Sequence, residues 1–347
     1  MTQIKAEIIA DSKNEFGNRL TTFVVTFPRF ILAELNTHRM FSRNSASSRA
    51  IPFEKMVKSV EENPFIPIAW QKDHKGMQGN EYFDNPQSND HVDKWLIARD
   101  KAVEIAKALN DSGVTKQLCN RLLEPFMWHT VIITASEYEN FFGLRCPQYG
   151  NDEQGYYRSK KDALRGLQSK GVDISNLIKS TDLEWLIVNK GQAEIHMIAL
   201  AEAMWDAYNE SEPKLLFSGQ WHIPFGDNLD YVQLRRQMGM IVSAEQHDQL
   251  MDKVSIKIAT ARCARVSYTV VGEEDKEPNY ENDIKLHDRL IASGHLSPTE
   301  HCAKCMSEDE YHHNTILTNL KGAIVPQEHF GWSGNFRGFI QYRKLIE

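Results

Sequence analysis

The chain is short of the residues that usually announce a chemistry. Its 347 residues hold five cysteines, Cys119, Cys146, Cys263, Cys302 and Cys305, an odd number that fits reduced thiols and excludes a small disulfide-stapled fold. Cys302 and Cys305 form a C-x-x-C with His295, His301, His312 and His313 nearby. The chain has no second such pair, so the four ligands of a structural zinc site are missing and no metal is expected. A thiol nucleophile is equally unsupported, since only Cys146, next to Arg145, has a cation beside it. No apolar run could span a bilayer, and the opening MTQIKAEIIADSKNE lacks the apolar stretch of a signal peptide; a cytoplasmic protein that avoids membranes is the expectation. There is no basic excess either. A net charge of −7 argues against broad binding to nucleic acid, so an anionic ligand would have to be held by a local arginine cluster. With 41% hydrophobic and 10% aromatic residues and no repeats, the chain can bury a large core as one elaborate domain or two.

What is present is one unusual stretch, Asn36 to Arg49, NTHRMFSRNSASSR, with Arg39, Arg43 and Arg49, His38, two asparagines and four serines. In helical register Leu32, Leu35 and Met40 would face a core while His38, Arg39, Ser42 and Arg43 gather opposite, presented to something anionic or aromatic. By residue type alone, a solvated helix end running into a Ser-rich loop would read the same way.

Around this stretch the periodicities are clear. Residues 3–10 and 19–27 alternate as two strands, Pro28 opens a helix over roughly 28–36, and Pro52 closes the loop beyond it. Residues 63–90 form a Pro- and Gly-rich loop or lid, and HVDKWLIARDKAVEIAKALNDSG is an amphipathic helix stopped by Gly113. A second helix starts at Thr115, and the β-branched run from Trp128 is a buried strand. Ser136 with Glu139 reads as a capping box for the helix of NFFGLR, which carries Asn140 and Arg145. Residues 147–190 read as an irregular surface insertion, GQAEIHMIALAEAMWDAYN as a helix, and IKIATARCARVSY as a helix running into a small-residue turn. A helix ends at Gly294 before HLSPTEHCAKC, where Ser297 and Glu300 form another capping-box pattern.

Written as H-R-x-x-S-x-N-x-x-S-x-R, His38 to Arg49 resembles the signature of the flavin-dependent thymidylate synthases, the ThyX family. Thr37 and Ser45 stand where that family usually has Arg and Glu. The resemblance implies that His38, Arg39 and Asn44 contact FAD, and that Ser47 and Arg49 hold the nucleotide phosphate. Arg and Ser together can fork onto a phosphate, which makes physical sense of the pattern. Two more segments resemble the same family. In NFFGLR, Asn140 would touch flavin and Arg145 would face the uracil ring, stabilising the enolate-like charge that makes C5 nucleophilic. In H-L-S-P-T-E-H, His295 and Ser297 would contact the flavin nucleotide. Arg121, in KQLCNRLLEP, resembles a nucleotide-binding Arg of the family, although an Arg on a helix face is ordinarily just solvated.

The order of the pieces departs from the family, because A-R-V-S-Y (264–268) and H-x-S-P-x-E-H follow the Arg-rich motif here. The chain looks circularly permuted; alternatively its end is a diverged duplicate in which FRGFIQYRK, Phe336 to Lys344, echoes that motif. The resemblance implies an α+β fold, a mainly antiparallel sheet covered by amphipathic helices. Residues 1–253 would be the FAD- and nucleotide-binding catalytic region, and 254–347 a carboxy-terminal region of the same domain. It implies reductive methylation of dUMP to dTMP with methylenetetrahydrofolate and NADPH, in a homotetramer with sites between subunits. A flavin-dependent pyrimidine nucleotide modifier, for example a hydroxymethylating one, would carry the same residues. A nucleic-acid-binding module using Arg39, Arg43 and Arg49 is the alternative of another class, disfavoured by the acidic balance.

Overall fold

The computed structural model describes residues 4–45, 47–75, 79, 81–83, 89–151, 155–238, 244–266, 279–314 and 329–347. The A-R-V-S-Y run lies outside the described residues from Ser267 onward.

Strands β1 (Lys5–Asn14) and β2 (Arg19–Pro28) form an antiparallel hairpin whose turn needs a positive φ, supplied by Gly17 at 84°. β2 pairs antiparallel with β4 (Trp128–Ala135), and β4 with the edge strand β3 (Ser42–Ser45). β5 (Lys214–Leu216) adds in parallel to the far side of β1, giving the order β3-β4-β2-β1-β5. All pairings but the last are antiparallel, as expected for an α+β fold.

Alternation along β2 and β4 decides what covers each face. Phe23, Val25, Phe27, Val131 and Ile133 point to one side, where helix α4 (Ile195–Glu210) packs Met197, Leu200, Ala201 and Met204 against them. Phe141 and Phe142 of helix α3 (Glu139–Arg145) complete this core. Val24 and Ile132 point to the other side and meet Phe225, Cys263 and Val266, Cys263 coming from helix α5 (Ala244–Arg265). That second face is also closed by a small sheet in the order β8-β7-β6, made of Phe339–Gln341, Ala303–Cys305 and Trp221–His222. The carboxy-terminal quarter therefore lies on the back of the sheet, with Leu20 packed among Ala303, Cys305, Phe336 and Phe339.

A separate apolar cluster lies beyond the Arg-rich stretch. Helix α1 (Phe53–Glu62), which Pro52 opens, and helix α2 (Asn89–Asp111) pack Met56, Val60, Val103 and Ala106 against Leu123. Residues 147–190, expected to be irregular, hold a short hairpin (Tyr149–Asn151 with Gly155–Tyr157) and helices Lys160–Ser169 and Asp182–Val188. Leu186 docks on Ile195 and Ile198, and this buried contact is what lets a polar segment become regular.

Candidate functional site

The Arg-rich stretch does not form the helix that its apolar spacing suggests. The helix Leu32–Leu35 stops, the chain turns, and Ser42–Ser45 pairs with Thr134–Val131 as β3. Leu35 and His38 are buried, whereas Met40 is 37% exposed, so the helical face drawn from Leu32, Leu35 and Met40 is incorrect. The winning force is the row of unpaired backbone groups on β4, which a neighbouring extended segment satisfies.

Because a strand alternates, β3 divides its side chains between the two faces of the sheet. Arg43 turns toward the first turn of the motif and donates from Nη1 to the carbonyls of Leu35 (3.1 Å) and His38 (3.3 Å). Asn44 turns the other way, donating to the Cys263 carbonyl at 2.8 Å and accepting from Ser297 Oγ at 3.1 Å. Ser42, on that second side, accepts from Gln341 Nε2 (3.0 Å) and Asn335 Nδ2 (3.1 Å).

On the Arg43 side, His38 is packed edge-on against Phe141, with ring centroids 4.9 Å apart, and near Phe41. Arg145, at the end of α3, donates from Nε to His38 Nε2 at 3.1 Å. Burial, reinforced by the charges of Arg145 and Arg43, pushes the His38 imidazole down to about 4, so it is neutral at physiological pH. Burial also lowers Arg43, opposed only by the charge of Glu300, whose carboxylate is committed to Arg343 at 2.6 Å. Among the described residues, Arg39, Arg43, Arg49 and Arg145 form no ion pair with a carboxylate.

The remaining candidates sit around this cluster. Ser47 Oγ accepts from the backbone and Nε of Arg49, at 3.3 and 3.4 Å, on the exposed turn after β3. Arg39 and Asn140 are exposed, and so is His295, whose Nδ1 is 3.0 Å from Ser293 Oγ. Among the described residues no hydrogen bond joins Arg39, Asn140 or His295 to the other candidates. Arg121 stands 3.8 Å from Glu124 and lines a groove of about 420 Å³ with Arg29, Phe30, Leu32, Ala33 and Asn36.

Two local patterns are corrected. Ser136 does not cap α3, whose N-cap, Tyr138, makes no side-chain cap bond; its hydroxyl accepts from Arg337 N at 2.9 Å. Ser297 likewise caps nothing and bonds Asn44 instead. In both cases a tertiary partner outcompetes the local cap.

Sequence reasoning missed a buried polar chain behind the sheet. Ser12 Oγ, His222 Nδ1 and Nε2, Thr22, Thr134 and His301 Nδ1 are linked by four contacts of 2.8 Å each. It also missed Glu34, raised by burial first and by the charge of Glu194 next, against the pull of Arg145. The threonines alternating on β2 were the available signal, since a buried hydroxyl requires a partner. No grouping of His, Cys, Asp and Glu among the described residues could hold a metal ion, and no described helix is long and apolar enough to cross a membrane.

No family model and no curated protein matches the chain. Among solved structures it is similar to a UMP/dUMP methylase, PolB, from Streptomyces cacaoi. The form bound with 5-Br UMP gives a TM-score of 0.38 at 15% identity, covering 60% of this chain and 90% of that one. The form bound with 5-Br dUMP gives 0.35 at 16% identity, covering 49% and 89%. At TM-scores this low the likeness assigns no ligand or reaction to this chain.

Proposed function

We propose that the chain is an enzyme acting on a pyrimidine nucleotide, a flavin-dependent thymidylate synthase that methylates dUMP to dTMP with FAD, methylenetetrahydrofolate and NADPH. The observation that carries this reading is the set of guanidiniums of Arg39, Arg43, Arg49 and Arg145 around one edge strand, none of which has a carboxylate partner among the described residues, in a chain whose net charge is −7. Cations held without a carboxylate, two of them partly buried around a neutral imidazole, are an anion site waiting for its ligand.

The donor set fits both a flavin nucleotide and a nucleotide monophosphate, each a polyanion with a planar ring. His38, Arg39, Asn44, Asn140, His295 and Ser297 would hold FAD, which supplies the redox chemistry when bound. Ser47, Arg49 and Arg121 would take the dUMP phosphate. Arg145 has its Nε on His38, and among the described residues neither of its Nη groups has a partner, so a planar pair of donors is left for the uracil edge. Those donors would stabilise charge developing on the ring as C5 becomes nucleophilic. The groove beside Arg121 and the cavity under residues 160–206 do not include His38 or Arg145, and seven of the ten candidates, Arg39, Ser47, Arg49, Arg121, Asn140, His295 and Ser297, are exposed. This supports a homotetramer in which neighbouring subunits complete each site.

The test is the visible spectrum of the purified full chain followed by a product assay. An oxidised-flavin band and dTMP formed from dUMP, methylenetetrahydrofolate and NADPH are expected. A colourless protein that takes up no FAD and makes no dTMP overturns the reading, and a turning-over monomer in sedimentation removes the tetramer.

A further inference from the structure

We infer that His38 works as a neutral hydrogen-bond donor, locked by Arg145 in the tautomer that carries its proton on Nδ1, and that this N–H addresses a ligand oxygen. The inference rests on the nucleotide reading only for its choice of probe.

A guanidinium has five N–H donors and no acceptor, so the Arg145 Nε contact at 3.1 Å requires a lone pair on His38 Nε2. The proton of the neutral ring must then be on Nδ1. Protonating both nitrogens would set N–H against N–H and place a third positive charge beside Arg43 and Arg145, in a side chain that is only 9% exposed. The lock also has a mechanical part, since Phe141 meets the ring edge-on and Phe41 lies alongside it. Among the described residues Nδ1 has no hydrogen-bond partner, and it is not among the side-chain atoms that are both sealed from solvent and unpartnered. It therefore opens toward whatever fills the site. A donor flanked by two cations selects an oxygen carrying negative charge, such as a phosphate oxygen or a carbonyl oxygen of a ring anion, and rejects a cation or a group that offers only donors. His38 is thereby unsuited to accept a proton at Nε2, the position occupied by Arg145.

Arg29 gives the fold an internal control. It donates from Nη1 to His129 Nε2 at 2.9 Å, and burial with the Arg29 charge pushes His129 down to about 3. His129 should hold the same tautomer in every variant below.

The experiment uses the full chain with ¹⁵N-labelled histidine, reading each ring's tautomer from two-bond ¹H–¹⁵N couplings at neutral pH. His38 should show the Nδ1–H tautomer, and Arg145→Met should release it into a mixture while leaving His129 unchanged. An Nε2–H or doubly protonated His38 in the wild type overturns the inference, with or without ligand. The second arm measures FAD binding by two substitutions that divide the ring's roles. Asn places a donor near Nδ1 and nothing near Nε2; Gln can offer Arg145 an acceptor near Nε2 and no donor near Nδ1. His38→Asn should keep FAD affinity within about threefold, while His38→Gln should lose about tenfold or more. The reverse ranking would make His38 a prop for Arg145 and overturn the donor role. If FAD binds none of the proteins, wild type included, the proposed function fails, and the tautomer of the free chain still decides the inference.

Discussion

Arg145 is the residue on which chemistry and position meet. Its Nε is used on His38 and its Nη groups are left over, so one side chain both orients an imidazole and presents a planar fork. Arg145→Lys keeps the charge but has one donor centre for two duties. We expect turnover of dUMP to fall by about a hundredfold or more, on the order of 3 kcal/mol in the barrier, with flavin retained and little change in stability. Product formation at saturating folate and NADPH measures it, and near-normal turnover would make Arg145 an ordinary helix-end cation. His295 is a simpler case. It is exposed, and among the described residues its side chain bonds only Ser293, so His295→Ala should leave the denaturant midpoint unchanged while weakening flavin retention. Full flavin content in that variant would remove His295 from the cofactor site.

At the scale of elements, the edge strand β3 governs the site because its four residues send Arg43 to one face and Asn44 to the other. So short a strand is weakly registered by its ladder alone. Gln341 and Asn335 hold it: Gln341 Nε2 donates to Ser42 Oγ at 3.0 Å and to Asn335 Oδ1 at 2.7 Å, and Asn335 also donates to the Met40 carbonyl at 2.8 Å. Gln341 of FRGFIQYRK, with Asn335 just before that segment, thus serves as a clamp on the Arg-rich stretch. Gln341→Leu buries a similar volume but leaves Ser42 with the Asn335 donor alone and Asn335 Oδ1 without the Gln341 donor, and should cost about 1–3 kcal/mol in urea unfolding. It should also weaken dUMP binding, because β3 can then slip. A variant that loses stability with unchanged dUMP affinity would confine Gln341 to the fold. The same region shows what the sequence could and could not disclose. The strands β1, β2 and β4 and the helices α2 and α4 follow from period and length. His38 and Arg145 could be paired only through the family resemblance, being 107 positions apart. The helical register of Leu32, Leu35 and Met40 and the two serine caps failed for one reason: each local pattern met a distant partner, β4, Arg337 or Asn44, that no window of sequence contains.

Across the whole molecule, histidines buried in the neutral form tie folding to acidity. Burial pushes His38 and His222 down to about 4, and His129 and His301 to about 3, from the ordinary 6.5; the charges of Arg145 and Arg43 add to this for His38, that of Arg29 for His129, and that of His222 for His301. The unfolded chain therefore binds more protons than the folded one between those values and 6.5. Stability from these groups is fully present above pH 6.5 and is lost as pH falls toward 4 and then 3, with each fully coupled ring worth on the order of 3 kcal/mol. Glu202 runs the other way: burial raises its carboxyl to about 7, so its contribution favours folding below that value and is lost as pH rises through it. Four deeply shifted histidines outweigh Glu202 and the smaller upward shifts that burial gives Glu34, Glu137 and Asp206, and the urea midpoint should drop markedly from pH 7.5 to pH 4.5. His222 is the position that tests the cause. Its ring joins Ser12 on β1 to Thr22 on β2 at 2.8 Å on each side, between the main sheet and the small sheet behind it. His222→Asn should lower stability at pH 7.5, where the bridge is lost, yet flatten the loss toward pH 4.5, because one proton-binding group of the unfolded chain is gone. Equal slopes for wild type and variant would mean that His222 does not carry the acid sensitivity, and that the relay from Ser12 to His301 is held together by its threonines.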